Sequence, residues 1–296
     1  MATDLGFALK DAAAKVEEAL DELLPEINGP ESQLLEAMRY AAMGGGKRLR
    51  PFLTLQSGRL FGIDDETMVR VAAAAECVHV YSLIHDDLPA MDDDDLRRGK
   101  PTVHKQYDDA TAILAGDALL TLAFEILSDD ETHSDPYVRC KLVSQLARAI
   151  GARGMVAGQM IDLATENQNP DIGTVTRLQR LKTGELIAFA CETGAIIGRA
   201  SKDARHALEG YAHDLGLAFQ MTDDLLDVEG DAAEVGKALR KDAGRGKATF
   251  VDILGAERAR AQAELLAGQA ARHLDLFDEK ADLLRALTEF ITNRQS

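Results

Sequence analysis

The sequence predicts an all-α protein, and three observations carry that reading. Apolar residues recur at helical spacing along nearly the whole chain, with no alternating run of useful strand length. Ala and Leu dominate the apolar positions, with only 7 Pro, 5% aromatic residues and no Trp among 296 residues. That composition favours packed helices over a sandwich or barrel. No linker is long or biased enough to divide the chain, and no repeat of fixed period occurs. The expectation is one domain over 1–296, a single large bundle of ten or more helices around a central cavity.

Taken in order, an amphipathic helix covers about 4–23 and ends before Pro25. A second, over 31–43, starts after Pro30 and stops at Gly44, Gly45 and Gly46. Helices follow over 51–60, 65–88, 108–128, 136–163, 174–200, 202–229, 247–256, 257–273 and 277–293. Breaks are expected at 61–64, 89–101, 129–135, 165–173 and 230–246. Segments 111–127 and 184–198 are apolar on most faces and should sit centrally.

Charge excludes some functions. Lys and Arg number 33 against 50 Asp and Glu, a net charge of −17. Nucleic acid needs a surplus of cations, and so does a polybasic membrane anchor. The N-terminal stretch is acidic and amphipathic, unlike a signal or transit peptide. No uninterrupted apolar run suggests a membrane span. Cys77, Cys140 and Cys191 are far apart, without zinc spacing, and read as buried free thiols in a reducing cytoplasm.

The acid is concentrated. Residues 85–99 read HDDLPAMDDDDLRRG, with six aspartates between Asp86 and Asp95 closing an apolar helix. A solvated acidic loop is the ordinary reading of such a run. Here the preceding helix is buried, and Arg97 and Arg98 follow at once. On an undistorted helix Asp86 and Asp92 would point apart. Pro89 lies between them and must loosen the turn, which lets Asp92 return toward Asp86. Two carboxylates on a deformable turn suit Mg²⁺, which takes one or two carboxylates and shares substrate phosphates. An EF-hand is excluded by its missing glycine and glutamate spacing. A second cluster, FQMTDDLLD, closes another apolar helix. Asp223 and Asp227 share a face there with Gln220, while Asp224 is rotated by about 100°. The two clusters are expected to face each other across a cavity and hold metal ions between them.

Cations recur in this acidic chain at Lys47, Arg50, Arg97, Arg98, Lys182, Lys237 and Lys247. Neither GGGKRLRP nor GRGKAT has the P-loop spacing, yet both present glycine-flanked cations to a phosphate. Lys182, Thr183 and Gly184 interrupt an apolar helix. The glycine there reads either as a kink exposing backbone carbonyls or as a helix crossing. His79 lies two turns before Asp86 on nearly the same face. It reads either as a hydrogen-bonded core histidine or as a ligand-facing one.

Together GGGKRLRP, HDDLPAMDDDDLRRGKPTVHK, LAGDALL, KTGEL, FQMTDDLLD and GKALRKDAGRGKAT resemble the trans-isoprenyl diphosphate synthases. Within that family the likeness is greatest to the bacterial farnesyl diphosphate synthase branch, and it covers almost the whole chain. It implies the isoprenoid synthase fold, a homodimer and three Mg²⁺ ions. By motif, Asp86, Asp92 and Asp223 would be metal ligands, with Asp87 and Asp227 supporting. Arg97, Lys182 and Lys237 would hold the allylic diphosphate, assisted by Lys247. Lys47, Arg50, His79 and Arg98 would hold isopentenyl diphosphate. Thr183, Gln220 and the Lys182 carbonyl would face the carbocation, and Arg294 would help close the site. Tyr81, about 7.5 Å down the helix from Asp86 at 1.5 Å per residue, with small Ser82 beside it, would floor the growing chain and set a fifteen-carbon product. Tyr81 as a plain core residue is the other reading.

The implied reaction is Mg-dependent head-to-tail condensation of isopentenyl diphosphate with dimethylallyl and geranyl diphosphates. Geranyl or geranylgeranyl diphosphate is the alternative product. A class I terpene cyclase is disfavoured by the second DDLLD and by Lys47 and Arg50. A non-catalytic synthase subunit is disfavoured because both acidic motifs are intact. A calcium-binding scaffold gives no reason for the arginine pair.

Overall fold

A computed structural model describes residues 4–229 and 249–293. By its internal contacts the chain forms two compact units, Gly6–Val143, and Ser144–Ser296 together with Met1–Leu5.

In the first unit the order is α1 (Leu5–Leu23), α2 (Ser32–Ala42), α3 (Leu49–Leu60), α4 (Asp65–Asp86), β1 (Leu96–Arg97), β2 (Lys100–Pro101), α5 (Val103–Gln106) and α6 (Asp109–Ser128). Asp64 caps α4, its carboxylate accepting from the Thr67 N–H at 2.8 Å, and Asp65 and Glu66 follow in the first turn. Such a cap contributes ~1 kcal/mol, and the acids complement the helix dipole. The Ala-rich run Val71–Val78 is buried on every side, so α4 is the core helix. Asp108 caps α6 in the same way through Thr111.

α4 and α6 are long and apolar enough, on composition alone, to cross a membrane. Two-thirds of that stretch in α4 and half in α6 is buried against the protein's own helices. The central placement expected for 111–127 is therefore only half right. α6 packs on α4, but Ile113 and Leu114 remain 45% and 55% exposed.

α7 (Pro136–Ile150) spans the boundary between the units. The second unit continues with α8 (Met155–Thr165), α9 (Ile172–Gln179), a π-helical turn (Arg180–Gly184), α10 (Glu185–Ile197), α11 (Lys202–Glu229), α12 (Phe250–Leu254), α13 (Ala256–His273), a 3₁₀ turn (Asp275–Ala281) and α14 (Asp282–Asn293). The buried Tyr211 hydroxyl donates to the Leu284 carbonyl at 3.0 Å and ties α11 to α14. Segment 184–198 is buried almost throughout, as its all-round apolarity requires.

Several expected elements are corrected. The helix expected over 136–163 breaks between Ile150 and Met155. The chain passes so close to itself that a Cβ at Gly154 would lie 1.8 Å from the Ala149 carbonyl oxygen. The helix expected over 174–200 begins at Ile172, changes to π at Arg180 and ends at Ile197. Gly255, at φ 79°, separates α12 from α13, and Asp278 kinks the segment before α14. The break expected over 89–101 contains the small β1–β2 hairpin and leads into α5. Cys77 and Cys191 are buried, but Cys140 is exposed on α7.

Candidate active site

In the first unit the site begins where α4 ends. The helical ladder stops before Pro89 and the chain folds back on the helix end. The Asp92 N–H donates to the Asp86 carbonyl at 2.8 Å, the Asp93 N–H to Leu88 at 3.1 Å and the Asp94 N–H to Asp87 at 3.1 Å. Asp93 takes a left-handed conformation, φ 47°, to make the return. The loosened turn inferred from Pro89 is present, and it brings the Asp92 backbone onto Asp86.

Asp87 is buried and faces Arg97. The guanidinium Nε donates to both carboxylate oxygens at 2.8 and 2.9 Å, and one Nη to Oδ1 at 2.5 Å. Burial pushes the Asp87 carboxyl up despite this cation. Burial opposes the charge on Arg97, but the Asp87 hydrogen bonds, with Asp86 and Asp94 nearby, leave its pKa raised.

The turn at Arg98 and Gly99 has positive φ at both residues, 52° and 76°, the geometry of a tight type I′ hairpin. It pairs Leu96 with Pro101 and Arg97 with Lys100. Arg98 then reaches the opposite way. Its guanidinium donates to the Gly45 carbonyl and lies over Gly46, where any Cβ would sit 2.6 Å from its Cζ. The glycines of GGGKRLRP are thus used as a bed for Arg98. Asp87, Arg97 and Arg98 line a cleft with Gly44, Val80, Ile84 and Thr102.

His79 is held neutral, its pKa well below the ordinary histidine value, first by burial and then by Arg50, Arg98, Arg97 and Arg48. Lys47 is exposed and Arg50 half-buried. Tyr81 is buried, and burial together with Asp86 pushes its phenol up to about 12. Ser82 bonds the His79 carbonyl at 2.8 Å.

Three residues in this unit escaped sequence reasoning. Arg48, between the two cations singled out, is buried and pairs with buried Glu76 at 2.6 Å and with the Ala42 carbonyl at 2.7 Å. Thr102 and His104 hold the acidic loop from below, both contacting the Asp94 carbonyl, at 2.7 and 2.9 Å. The signal for Arg48 was a glutamate, Glu76, alone inside an apolar helix.

In the second unit the Lys182–Thr183–Gly184 interruption is the π turn Arg180–Gly184. Both sequence readings meet there. The turn unwinds the backbone, and Gly184 also lies at a crossing, its Cα 3.4 Å from where a Cβ on Gly216 of α11 would be. Lys182 Nζ lies 2.6 Å from Asp162 of α8. Gly158, one turn before Asp162, presses on the same place, since its Cβ would fall 2.2 Å from the Lys182 nitrogen. Asp162 was missed, although a lone acid in the apolar stretch AGQMIDLA was its signal.

Asp223 and Asp227 are half-buried near the end of α11. Gln220 donates to Asp224 at 3.1 Å, and the other Asp224 oxygen accepts the Phe250 N–H at 2.8 Å. Asp224 is thereby tied to the start of α12. Lys237, Lys247 and Arg294 lie outside the described residues.

Among the described residues no three metal-binding side chains converge. What is present is acidic helix ends, with the Asp92 backbone returned onto Asp86 in one unit and Asp223 and Asp227 four residues apart near the end of α11 in the other. Hard oxygen donors in ones and twos fit Mg²⁺, which keeps waters and fills its shell with phosphate oxygens.

An all-α chain with two DD-rich helix ends, one arginine paired to an aspartate and the next laid over glycines has the makings of an enzyme for diphosphate chemistry. A family model for polyprenyl synthetases matches residues 31–287. The chain is 44% identical over 291 residues to the farnesyl diphosphate synthase of Escherichia coli K12, covering 97% of each. It is 42% identical to geranylgeranyl pyrophosphate synthase 4 of Arabidopsis thaliana, covering 95% of this chain and 76% of that one. The apo crystal structure of an FPP/GFPP synthase from Zymomonas mobilis superposes with a TM-score of 0.91 at 52% identity, covering 98% of this chain and 100% of the other. The chain belongs to the polyprenyl synthetase family. It is a prenyltransferase with the all-α isoprenoid synthase fold.

Proposed function

We propose that this prenyltransferase condenses isopentenyl diphosphate head-to-tail with dimethylallyl and then geranyl diphosphate, releasing farnesyl diphosphate for isoprenoid biosynthesis. One observation carries the reading. The return of Asp92 onto Asp86 lies beside the Arg97–Arg98 hairpin, so metal-binding carboxylates and phosphate-binding cations come from one loop. The near-full-length likeness to farnesyl diphosphate synthases supports the substrate class. A geranylgeranyl product is the second reading, favoured by the relatives that carry that name.

Asp86, Asp92 and Asp223 are the proposed Mg²⁺ ligands, for three ions, with Asp87 and Asp227 supporting. When bound, the ions stabilise the charge that develops on the departing diphosphate. Arg97, Lys182, Lys237 and Lys247 bind the allylic diphosphate. Arg97 meets it with a rigid fork and Lys182 with a point charge. Lys47, Arg50, His79 and Arg98 bind isopentenyl diphosphate. A neutral His79 there donates a hydrogen bond while the arginines supply the charge. Thr183, Gln220 and the Lys182 carbonyl face the allylic cation, because a π turn leaves carbonyl oxygens available that an α-helix would occupy. Tyr81, with Ser82 beside it, sets the depth available to the chain. The proton lost on condensation leaves with the diphosphate, so no side-chain base is invoked.

The two units are read as one catalytic domain, since the family match runs through both. The exposed Ile113 and Leu114 of α6 are the proposed contact of a homodimer. Reduced cysteines fit a cytoplasmic protein.

Purified protein given isopentenyl diphosphate, either starter and Mg²⁺ should yield a fifteen-carbon product. Chelation should stop the reaction and added Mg²⁺ restore it. Absence of any condensation product, or an Asp86→Ala variant as active as the parent, refutes the reading.

A further inference from the structure

His85, one residue before Asp86, is held on three sides. Its Nε2 lies 3.1 Å from the Ile113 carbonyl of α6. A carbonyl only accepts, so Nε2 carries the proton and donates. Below the ring is Gly116, whose missing Cβ would lie 2.1 Å from Nε2 and 2.5 Å from Cδ2. The glycine of LAGDALL therefore exists at this place to admit an imidazole from α4. On the third side the ring meets Tyr81, one turn earlier on α4, edge to face. Their centroids are 5.7 Å apart with planes at 80°, a favourable aromatic arrangement.

Residues four apart on a helix share a face, so a histidine clamped at 85 restricts the rotamers open to the tyrosine at 81. Tyr81 is buried and its contact with His85 is an aromatic pair. Its place is thus set from α6 through an intermediary rather than by direct contact alone. We propose that His85 is a specificity-positioning residue: seated on Gly116 and bonded to the Ile113 carbonyl, it fixes the Tyr81 ring as the stop for the growing prenyl chain. The inference rests on the reading of Tyr81 as that stop in a farnesyl-producing enzyme.

The test compares the parent with His85→Ala, Tyr81→Ala, the double variant and Gly116→Ala. Products are sized at equal consumption of isopentenyl diphosphate, with geranyl and with farnesyl diphosphate as starters. His85→Ala should raise the ratio of twenty- to fifteen-carbon product by about three- to tenfold, the factor an edge-to-face aromatic pair supports. The double variant should match Tyr81→Ala, because His85 acts only through Tyr81. Gly116→Ala, which unseats the imidazole, should shift products in the same direction. An unchanged product ratio in His85→Ala overturns the inference while leaving the activity intact. So does a double variant whose effects simply multiply. A parent that makes no condensation product overturns the functional reading and this inference together.

Discussion

Gly158→Ala is the sharpest test of the site in the second unit. The added methyl carbon would stand 2.2 Å from the Lys182 nitrogen, 2.5 Å from its Cα and 2.8 Å from the Leu181 carbonyl carbon. Ordinary carbon contacts begin near ~3.5 Å, so the π turn must retreat by about 1 Å. The atoms in the way are backbone, and no rotamer change relieves them. Overpacking of this kind costs about 1–3 kcal/mol, or a fall in melting temperature of roughly 2–6 °C in a chain of this size. The catalytic effect should be larger. Lys182 is held by Asp162 at 2.6 Å, and a displaced backbone either breaks that pair or carries the ammonium away from its place. A shift of about 1 Å in a positioning group loses about 100-fold in rate. The assay is kcat/KM with geranyl diphosphate beside a thermal melt of the same preparation. A folded Gly158→Ala protein with parental kcat/KM refutes the placement of Lys182 and the π turn at the reacting centre.

Tyr81→Ala should lengthen the products from fifteen to twenty carbons or more by chromatography, and an unchanged distribution removes Tyr81 as the floor. Glu76→Gln should destabilise by about 1–3 kcal/mol in denaturant unfolding, because buried Arg48 loses its 2.6 Å carboxylate while keeping the 3.4 Å contact with Glu17 and a neutral acceptor at 76. Glu192 is pushed up to about 7 by burial and by Glu209 and Glu185, against the opposing pull of Arg205. Folding therefore takes up a proton between the ordinary glutamate value and about 7, and stability falls as pH rises through that window. Glu192→Gln should relieve a loss of at most about 3 kcal/mol above pH 7 and do little at acid pH; equal urea midpoints at pH 8 contradict this.

Local chemistry was legible in the sequence where it is decided locally. Pro89 after a run of helical residues forces a turn, and the turn is there, with Asp92 back on Asp86. A glycine following Lys182 and Thr183 in an apolar helix marked an irregularity, and the π turn occupies that place. What escaped depends on partners distant in the chain. Nothing near Arg48 distinguishes a buried ion-pair arginine from its neighbours Lys47 and Arg50, because its partner is on another helix. Helix rotation set Asp224 apart from Asp223 but placed Gln220 on the Asp223 face, whereas Gln220 bonds Asp224, which Phe250, distant in the chain, claims as well. The break at 151–154 was hidden because the flanking residues keep helical periodicity on both sides. Segment 111–127 was expected to sit centrally, and the exposure of Ile113 and Leu114 escaped because apolarity alone does not separate a core face from one left exposed on a single chain.

The hairpin that carries Arg97 and Arg98 has a consequence for how this loop can change. Arg97 closes strand β1 and Arg98 opens the turn at φ 52°, so the change of backbone direction between them sends one guanidinium to Asp87 and the other to the glycine bed at 45–46. Both destinations therefore depend on a turn that needs positive φ at its two central residues. A β-branched residue in place of Gly99, at φ 76°, should misdirect both cations at once, whereas an asparagine there should keep them in place.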